Sequence, residues 1–376
     1  MTPPAAESST TQQTPSSRTA PPLSSPSSSP RARSAFSGPP HSLQVLAVWA
    51  AASALTFVIL RLGAQDTPTT PWAGAAPSWE EHMRFWDAGW YHRIVEEGYP
   101  DRLPVDANGR VTQNAWAFMP LLSGLATLLG WTGWSFYARA AIVSILASAG
   151  AAVVMDRWLS PLTGRRTSLW AVALVWSSPC AAVLQVPYAE SLGLALVALT
   201  LWLASRGRAL TAIPLALAAC FARPVGVPLG AALGLWWAWE VAYTATETSW
   251  RGADLAPFVQ WATRLGDWVG PHLGLVLLAV VLVTVTLLLS APGLRTLGPA
   301  AWFWCLGYLL YLLAFFDPTT SVLRLLLPLA PVGWVLAAAA CTTRRRMALL
   351  AACVAGQLVW VSWVWDFGSV SVHWVP

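Results

Sequence analysis

Long apolar runs separated by short polar breaks constrain this chain more than any other feature. A first run extends from about residue 43 to about residue 62. Further runs lie at roughly 116–130, 137–158, 168–186, 190–205, 209–222, 224–243, 271–291, 299–316, 322–342 and 347–365. Most have the length that a bilayer-spanning helix needs, and a soluble fold could not bury so many of them. The sequence therefore predicts an all-α polytopic membrane protein with about nine to ten transmembrane helices.

Composition excludes several classes of function. Only 10% of residues are charged and 56% are hydrophobic, whereas a soluble domain carries about 25% charged residues. The net charge of +5 comes from arginines scattered in short loops, so nucleic-acid binding is not expected. The five cysteines lie in apolar stretches without metal-ligand spacing. We expect neither a disulfide framework nor a zinc site.

Polar segments divide the chain into a tail, a membrane domain and one long loop. Residues 1–40 are rich in Ser and Pro and are predicted to form a disordered cytoplasmic tail. Residues 41–376 form the predicted transmembrane domain, and its loop at 63–114 is expected on the outer face. That loop holds eight of the seventeen acidic residues: Asp66, Glu80, Glu81, Asp87, Glu96, Glu97, Asp101 and Asp106. A loop of this length is usually functional or disordered.

Arginine clusters predict the opposite, cytoplasmic face. They are Arg165 with Arg166, Arg206 with Arg208, and Arg344 to Arg346. If every apolar segment crosses the bilayer, these clusters cannot all face the cytoplasm. Either a segment between residues 209 and 316 is a broken or half helix, or one cluster breaks the positive-inside rule. Arg223 followed by Pro224 is the candidate break. The segment 116–130 contains Pro120 and is either a short juxtamembrane or re-entrant helix or a full crossing.

The aromatic part of the outer loop, FWDAGWYHRIVEEGYP, predicts a short ordered helix lying in the membrane interface. Asp87 stands between Trp86 and Trp90 in this segment. Partial desolvation would make it a general base; the alternative is a solvated loop carboxylate or a helix cap. His82 and His92, with Glu96 or Glu97, could hold a metal, but an amphipathic helix explains the glutamates without one. We expect no metal and no cofactor.

Three ionisable residues stand inside apolar sequence, where a charge is costly and marks a functional interior. They are Glu190, Arg223 and Arg324. Each could instead lie at a helix end and extend its charge to the headgroups. Two arginines near an outer-face acid could bind the phosphate of a lipid, because the guanidinium fork donates two parallel hydrogen bonds to phosphate oxygens.

Four segments, in order along the chain, resemble the PIG-V type mannosyltransferases. The stretch from Trp86 to Tyr99 is similar to the family's first outer-loop motif, and 115–121 is similar to its aromatic proline-containing segment. Residues 187–192 and 222–226 are similar to its YSESLF and RSNG segments. Pro224 and Val225 stand where the family has Ser and Asn, and Ser123 stands where it has a second proline.

This resemblance implies a GT-C-like bundle with short interfacial helices in the outer loop. It implies a transferase that takes a sugar, mannose in that family, from a polyprenyl phosphate at the non-cytoplasmic face of the cell membrane. It also implies that Asp87 is the acidic residue of the catalytic outer loop and that Glu190 and Arg223 border the same cavity. The predicted substrate-binding residues are Trp86, Trp90, Tyr91, His92, Trp116, Phe118, Tyr188, Glu190, Arg223 and Arg324.

The expected partners are the polyprenyl phosphate sugar, a lipid or glycan acceptor, and membrane lipids. Two alternatives belong to other classes. A transporter or flippase for a lipid-linked or amphipathic substrate would use the intramembrane charges as its pathway, although we see no internal repeat. A non-catalytic scaffold would tolerate substitution of Asp87.

Overall fold

The computed structural model describes residues 40–226, 229, 258–316, 318 and 322–365. The predicted cytoplasmic tail and most of the predicted segment 224–243 lie outside these residues. Within them the backbone is helical, and the only β-type pairing is one isolated bridge between Val105 and Val111. The α-helices are α1 His41–Asp66, α2 Trp79–His82, α3 Ala88–Glu96, α4 Pro120–Leu128, α5 Phe136–Thr163, α6 Arg165–Trp176, α7 Glu190–Ser205, α8 Ala209–Ala222, α9 Val259–Val269, α10 Pro271–Ser290, α11 Pro292–Thr296, α12 Pro299–Phe315, α13 Val322–Leu325, α14 Pro331–Ala339 and α15 Thr343–Val364.

Among the residues that the structure describes, four helices are long and apolar enough to cross a membrane. They are α1, α5, α10 and α15, which have 20 to 28 residues. A fifth span is counted if Val322–Leu329 and Pro331–Ala339, which meet at a bend of 76°, form one crossing. Helices α7, α8 and α12 are apolar but shorter. The described residues thus have the architecture of a helical membrane protein, with four or five candidate spans where nine to ten were predicted.

Several apolar runs are interrupted where the sequence predicted one continuous helix. The run at 168–186 ends as an α-helix at Trp176 and resumes as the short 3₁₀ turn Ala181–Leu184, with Pro179 in the interval. The run at 322–342 breaks around Pro328 and Pro331. The break predicted at Arg223 is confirmed, because α8 ends at Ala222 and Arg223 is extended with φ −147°. Proline removes a helical donor and clashes with the preceding turn, which explains these breaks.

Helices α1, α5, α6 and α15 pack together through small residues and paired polar groups. The indoles of Trp49 and Trp176 both donate to Ser148 Oγ, at 3.1 and 2.7 Å. Gln357 donates to Thr56 Oγ1 at 2.9 Å, joining α15 to α1. Because a polar group in an apolar interior is costly unless it is hydrogen-bonded, these pairs favour one arrangement of the helices.

One end of this bundle is rich in arginine. Arg166 donates to Thr343 Oγ1 at 3.2 Å, and Arg346 donates to Thr167 Oγ1 at 3.4 Å, so two of the predicted cytoplasmic clusters adjoin. The other end of α15 contacts the outer loop, since the Trp86 indole donates to Val364 O at 3.2 Å. The helix rises about 30 Å from Arg344 to Val364, which is the thickness of a bilayer's hydrocarbon core.

The outer loop is ordered by local caps and by aromatic packing. Ser78 and Glu81 form a capping box at the start of α2, and the aromatic segment predicted as a helix contains α3. Its side chains Phe85, Trp86 and Tyr91 are buried within the protein. Helix α4 has nine residues, which rise about 14 Å. It is therefore the short alternative for segment 116–130 and does not cross the bilayer by itself.

Candidate functional site

Asp87 lies in the turn that joins α2 to α3, at the end of the bundle opposite the arginine clusters. The residue before it, Trp86, has φ +56°, a left-handed conformation that is uncommon for a bulky side chain. Its indole is held by the bond to Val364 O, and its ring lies 5.1 Å from that of Trp72. The strained turn is thus maintained by tertiary contacts and sets the direction of Asp87.

Tyr188 connects this turn to the helical bundle. Its hydroxyl accepts a hydrogen bond from the Asp87 backbone N–H at 3.2 Å and donates to Phe85 O at 3.3 Å. Its own carbonyl accepts from Ser144 Oγ of α5 at 2.8 Å. Both Tyr188 and Asp87 are buried. The outer-loop acid and the segment before α7 therefore form one connected unit.

A chain of ion pairs joins the four charged residues that the sequence singled out. Arg324 Nη1 lies 2.5 Å from Asp87 Oδ2 and 3.8 Å from Glu190 Oε1. Arg223 Nη1 lies 2.5 Å from the same Glu190 oxygen. The side chains are 3% to 14% exposed. The two carboxylates balance the charge of the two guanidinium groups, as burial of charge requires. Side chains that extended their charge to the lipid headgroups would be more exposed than these are.

Arg324 Nη1 is held by its ion pairs alone, without a hydrogen bond of good geometry. Two further buried atoms of the ion-pair chain, Glu190 Oε2 and Arg324 Nε, have no hydrogen-bond partner in the described part of the protein. The guanidinium of Arg324 also lies over the Tyr188 ring, 5.6 Å from its centroid. Because buried polar atoms are usually satisfied, these two atoms are consistent with a site that receives a polar ligand.

Local sequence explains how the charges converge. Glu190 is the first residue of α7, where a carboxylate interacts favourably with the helix dipole. Arg223 follows the break at the end of α8, and Arg324 lies in the four-residue helix α13 before the 76° bend. Non-helical backbone inside a membrane protein is tolerated where it lines protein or a water-filled cavity.

Sequence reasoning missed two residues beside the ion-pair chain. A Cβ on Gly193 would lie 2.7 Å from Arg223 Cγ, so a glycine is needed where the arginine stem crosses α7. Tyr308 of α12 is buried and within electrostatic range of Arg223 and Glu190. The spacing Glu190-x-x-Gly193 puts both residues on one helix face, but nothing in the sequence indicates which side chain crosses there.

The predicted aromatic residues surround the turn unequally. Tyr91 is buried, and this burial, followed by the charge of Glu190, raises the pKa of its phenol. Trp90 stacks on Phe118 with ring centroids 5.7 Å apart, and Tyr91 packs edge-on against Phe118 at 5.4 Å. Trp116 donates to Pro100 O at 3.0 Å and so supports the loop from farther away.

His92 contacts residues other than the ion-pair chain. Its Nε2 lies 3.4 Å from Glu96, and its Nδ1 lies 3.4 Å from the Tyr137 hydroxyl. Across the described residues, no group of three or more His, Cys, Asp or Glu side chains could hold a metal. The metal alternative at His82, His92 and the two glutamates therefore has no geometric support.

An apolar cavity of about 660 Å³ lies between helices of the described part of the bundle. Its walls come from α6, α9, α10, α12, α14, α15 and the residues around Leu323. Cys180, in its wall, donates to Leu323 O at 3.1 Å. Leu323 immediately precedes Arg324 in the chain, and Cys180 lies within electrostatic range of Arg324 and Glu190. The cavity therefore lies near the ion-pair chain, but the four charged residues are not part of its lining.

Comparison with protein families, characterised proteins and solved structures finds no match to this chain.

Proposed function

We propose that this chain is a membrane glycosyltransferase. It would move a sugar, mannose according to the PIG-V resemblance, from a polyprenyl phosphate to an acceptor hydroxyl at the non-cytoplasmic face, with inversion of the anomeric carbon. The observation that carries this proposal is the ion-pair chain, in which an outer-loop carboxylate and two arginines converge. A transfer from a lipid phosphate needs these two kinds of group.

The chemistry divides between Asp87 and the arginines. Asp87 removes the proton from the acceptor hydroxyl as its oxygen attacks the sugar C1, and the bond from C1 to the phosphate oxygen breaks. Negative charge then grows on the departing phosphate. Arg324 and Arg223 stabilise that charge, and guanidinium groups in a water-poor site do so strongly. Glu190 holds both arginines in position.

The apolar cavity supports a lipid-linked donor over a soluble one. A prenyl chain must stay out of water, and the cavity is lined mainly by apolar residues, among them Leu323, which precedes Arg324 in the chain. Helix α15 is long enough for its two ends to lie at opposite membrane surfaces. If the arginine clusters face the cytoplasm, Asp87 lies at the opposite membrane surface, where a water-soluble acceptor is accessible.

The test is transfer from radiolabelled polyprenyl phosphate mannose to a panel of acceptors, with purified protein in lipid. Asp87→Asn is expected to lower the rate by about 10²–10⁴-fold, the contribution of a general base. Asp101→Asn is the matched control, because Asp101 is an exposed carboxylate in the same loop, and it should retain the wild-type rate. Full activity of folded Asp87→Asn would refute the role of this residue, and no transfer by the wild type would refute the function.

A further inference from the structure

The Asp87 carboxylate is engaged by an ion pair with Arg324. Its Oδ2 lies 2.5 Å from Arg324 Nη1, and both side chains are at most 10% exposed. A carboxylate oxygen that is bonded to a guanidinium is not available to an acceptor hydroxyl. In this arrangement, the group proposed as the base is therefore engaged by Arg324.

Arg324 is shared between two acids and has capacity for a further anion. It lies between Asp87 and Glu190, and its Nε has no hydrogen-bond partner in the described ranges. A guanidinium carries five donors in a planar fork, which suits phosphate oxygens. An arriving phosphate would add one more negative charge to a site where acids and bases already balance, so one carboxylate must yield.

Asp87 is the carboxylate that is free to yield. Glu190 is 3% exposed, is fixed at the start of α7, and retains Arg223 at 2.5 Å. Asp87 is more exposed, at 10%, and belongs to a turn whose preceding residue, Trp86, has a strained φ of +56°. Movement of that turn requires no change in a long helix.

We propose that the Asp87–Arg324 ion pair is an inhibitory latch that the donor's phosphate opens. This inference rests on the proposed function and adds its regulation. The phosphate takes Arg324, Asp87 is released, and only then can Asp87 accept the proton of the acceptor hydroxyl while the C1–oxygen bond to phosphate breaks. The proton leaves Asp87 to water after the products depart. Binding is consequently ordered, donor before acceptor, and the base is not active without a donor.

The latch predicts an unusual effect of a catalytic substitution on binding. Asp87→Asn removes the competitor for Arg324, so the variant is expected to bind polyprenyl phosphate about tenfold more tightly than the wild type, or better, in lipid nanodiscs. Asp87→Glu keeps the negative charge and is expected to bind polyprenyl phosphate with wild-type affinity. The control Asp101→Asn, at an exposed carboxylate, is also expected to bind it with wild-type affinity. Equal or weaker binding by folded Asp87→Asn would overturn the latch.

A second measurement uses the wild type alone. Addition of polyprenyl phosphate is expected to speed hydrogen exchange at the amide of Asp87, because that amide is bonded to the Tyr188 hydroxyl only while the turn is closed. Unchanged or slower exchange would contradict the latch. If the wild type transfers sugar but binds polyprenyl phosphate with the same affinity as Asp87→Asn, the latch alone is refuted. If Asp87→Asn binds polyprenyl phosphate more tightly but the wild type transfers no sugar, the transferase function alone is refuted. If the protein does not bind polyprenyl phosphate, both proposals are refuted.

Discussion

Protonation of His82 should destabilise the outer loop in mild acid. This side chain is 2% exposed, its ring lies 5.0 Å from Phe85 and 6.3 Å from Trp365, and its Nε2 has no hydrogen-bond partner among the described residues. Burial, with a smaller contribution from the positive charge of Arg61, lowers the pKa of His82 from 6.5 to about 4. The loop is thus built around a neutral imidazole.

The sign and size of the effect follow from proton linkage. Above pH 6.5 the ring is neutral in both folded and unfolded loop, so its full stabilising effect is present. As pH falls toward 4, only the unfolded form takes up the proton, and stability is lost by about 2 kcal/mol at pH 5 and about 3 kcal/mol below pH 4. Between these limits the loss approaches about 1.4 kcal/mol per pH unit.

Hydrogen exchange of residues 79–96 in detergent or nanodiscs, measured from pH 7.5 to pH 4.5 and corrected for the intrinsic rate, gives the free energy of loop opening. His82→Phe should remove most of its pH dependence, because phenylalanine fills the same apolar site without a titratable group. His272→Phe, at an exposed histidine, is the matched control and should keep the wild-type profile. An unchanged slope in His82→Phe would show that the buried imidazole is not the group responsible.

Two further substitutions test positions at opposite ends of the bundle. Gly193→Ala places a Cβ 2.7 Å from Arg223 Cγ and should displace the guanidinium, which is expected to reduce transfer by up to about 10²-fold and to raise the donor KM. The control is Gly150→Ala, whose added Cβ meets no atom within 4 Å and should leave the transfer rate and the KM unchanged. Normal kinetics in Gly193→Ala would contradict the proposed role of Arg223. Asp156→Asn weakens the 2.6 Å bond from Ser168 Oγ and should lower the free energy of unfolding by about 1–3 kcal/mol in denaturant titrations. Transfer per folded molecule should not change, because this pair lies at the arginine-rich end, and a selective loss of activity would place Asp156 in the catalytic pathway.

Residue chemistry identified the important charges before their positions were known. Glu190, Arg223 and Arg324 stand out because an ionisable group in apolar sequence is costly unless it is paired. Asp87 stands out through its aromatic neighbours, and the PIG-V resemblance marked it and Glu190 independently of that cost. These signals are local in the chain, so they are visible without a fold. The break at Arg223 was likewise predictable, because proline stops a helix wherever it occurs.

Hydropathy was less informative about where each apolar helix is interrupted. It predicted single helices at 168–186 and 322–342, where the structure has breaks near Pro179, Pro328 and Pro331. An apolar average cannot distinguish a straight span from a broken one, because both must stay out of water. It also could not separate a helix face that meets lipid from one that meets protein, and Phe85, Trp86 and Tyr91 proved to be buried in protein.

The sequence by itself determined that this chain forms apolar helices, carries one long acidic loop and contains a few charges in apolar sequence that need partners. Only the tertiary structure decided the pairing: Arg324, 237 positions after Asp87, contacts it at 2.5 Å and also approaches Glu190. The physical reason is that periodicity and burial cost act within a few turns of one helix, whereas the choice of partner depends on how distant helices pack. Gly193 is an example: a side chain at this position would collide with Arg223, which belongs to a different segment of the chain.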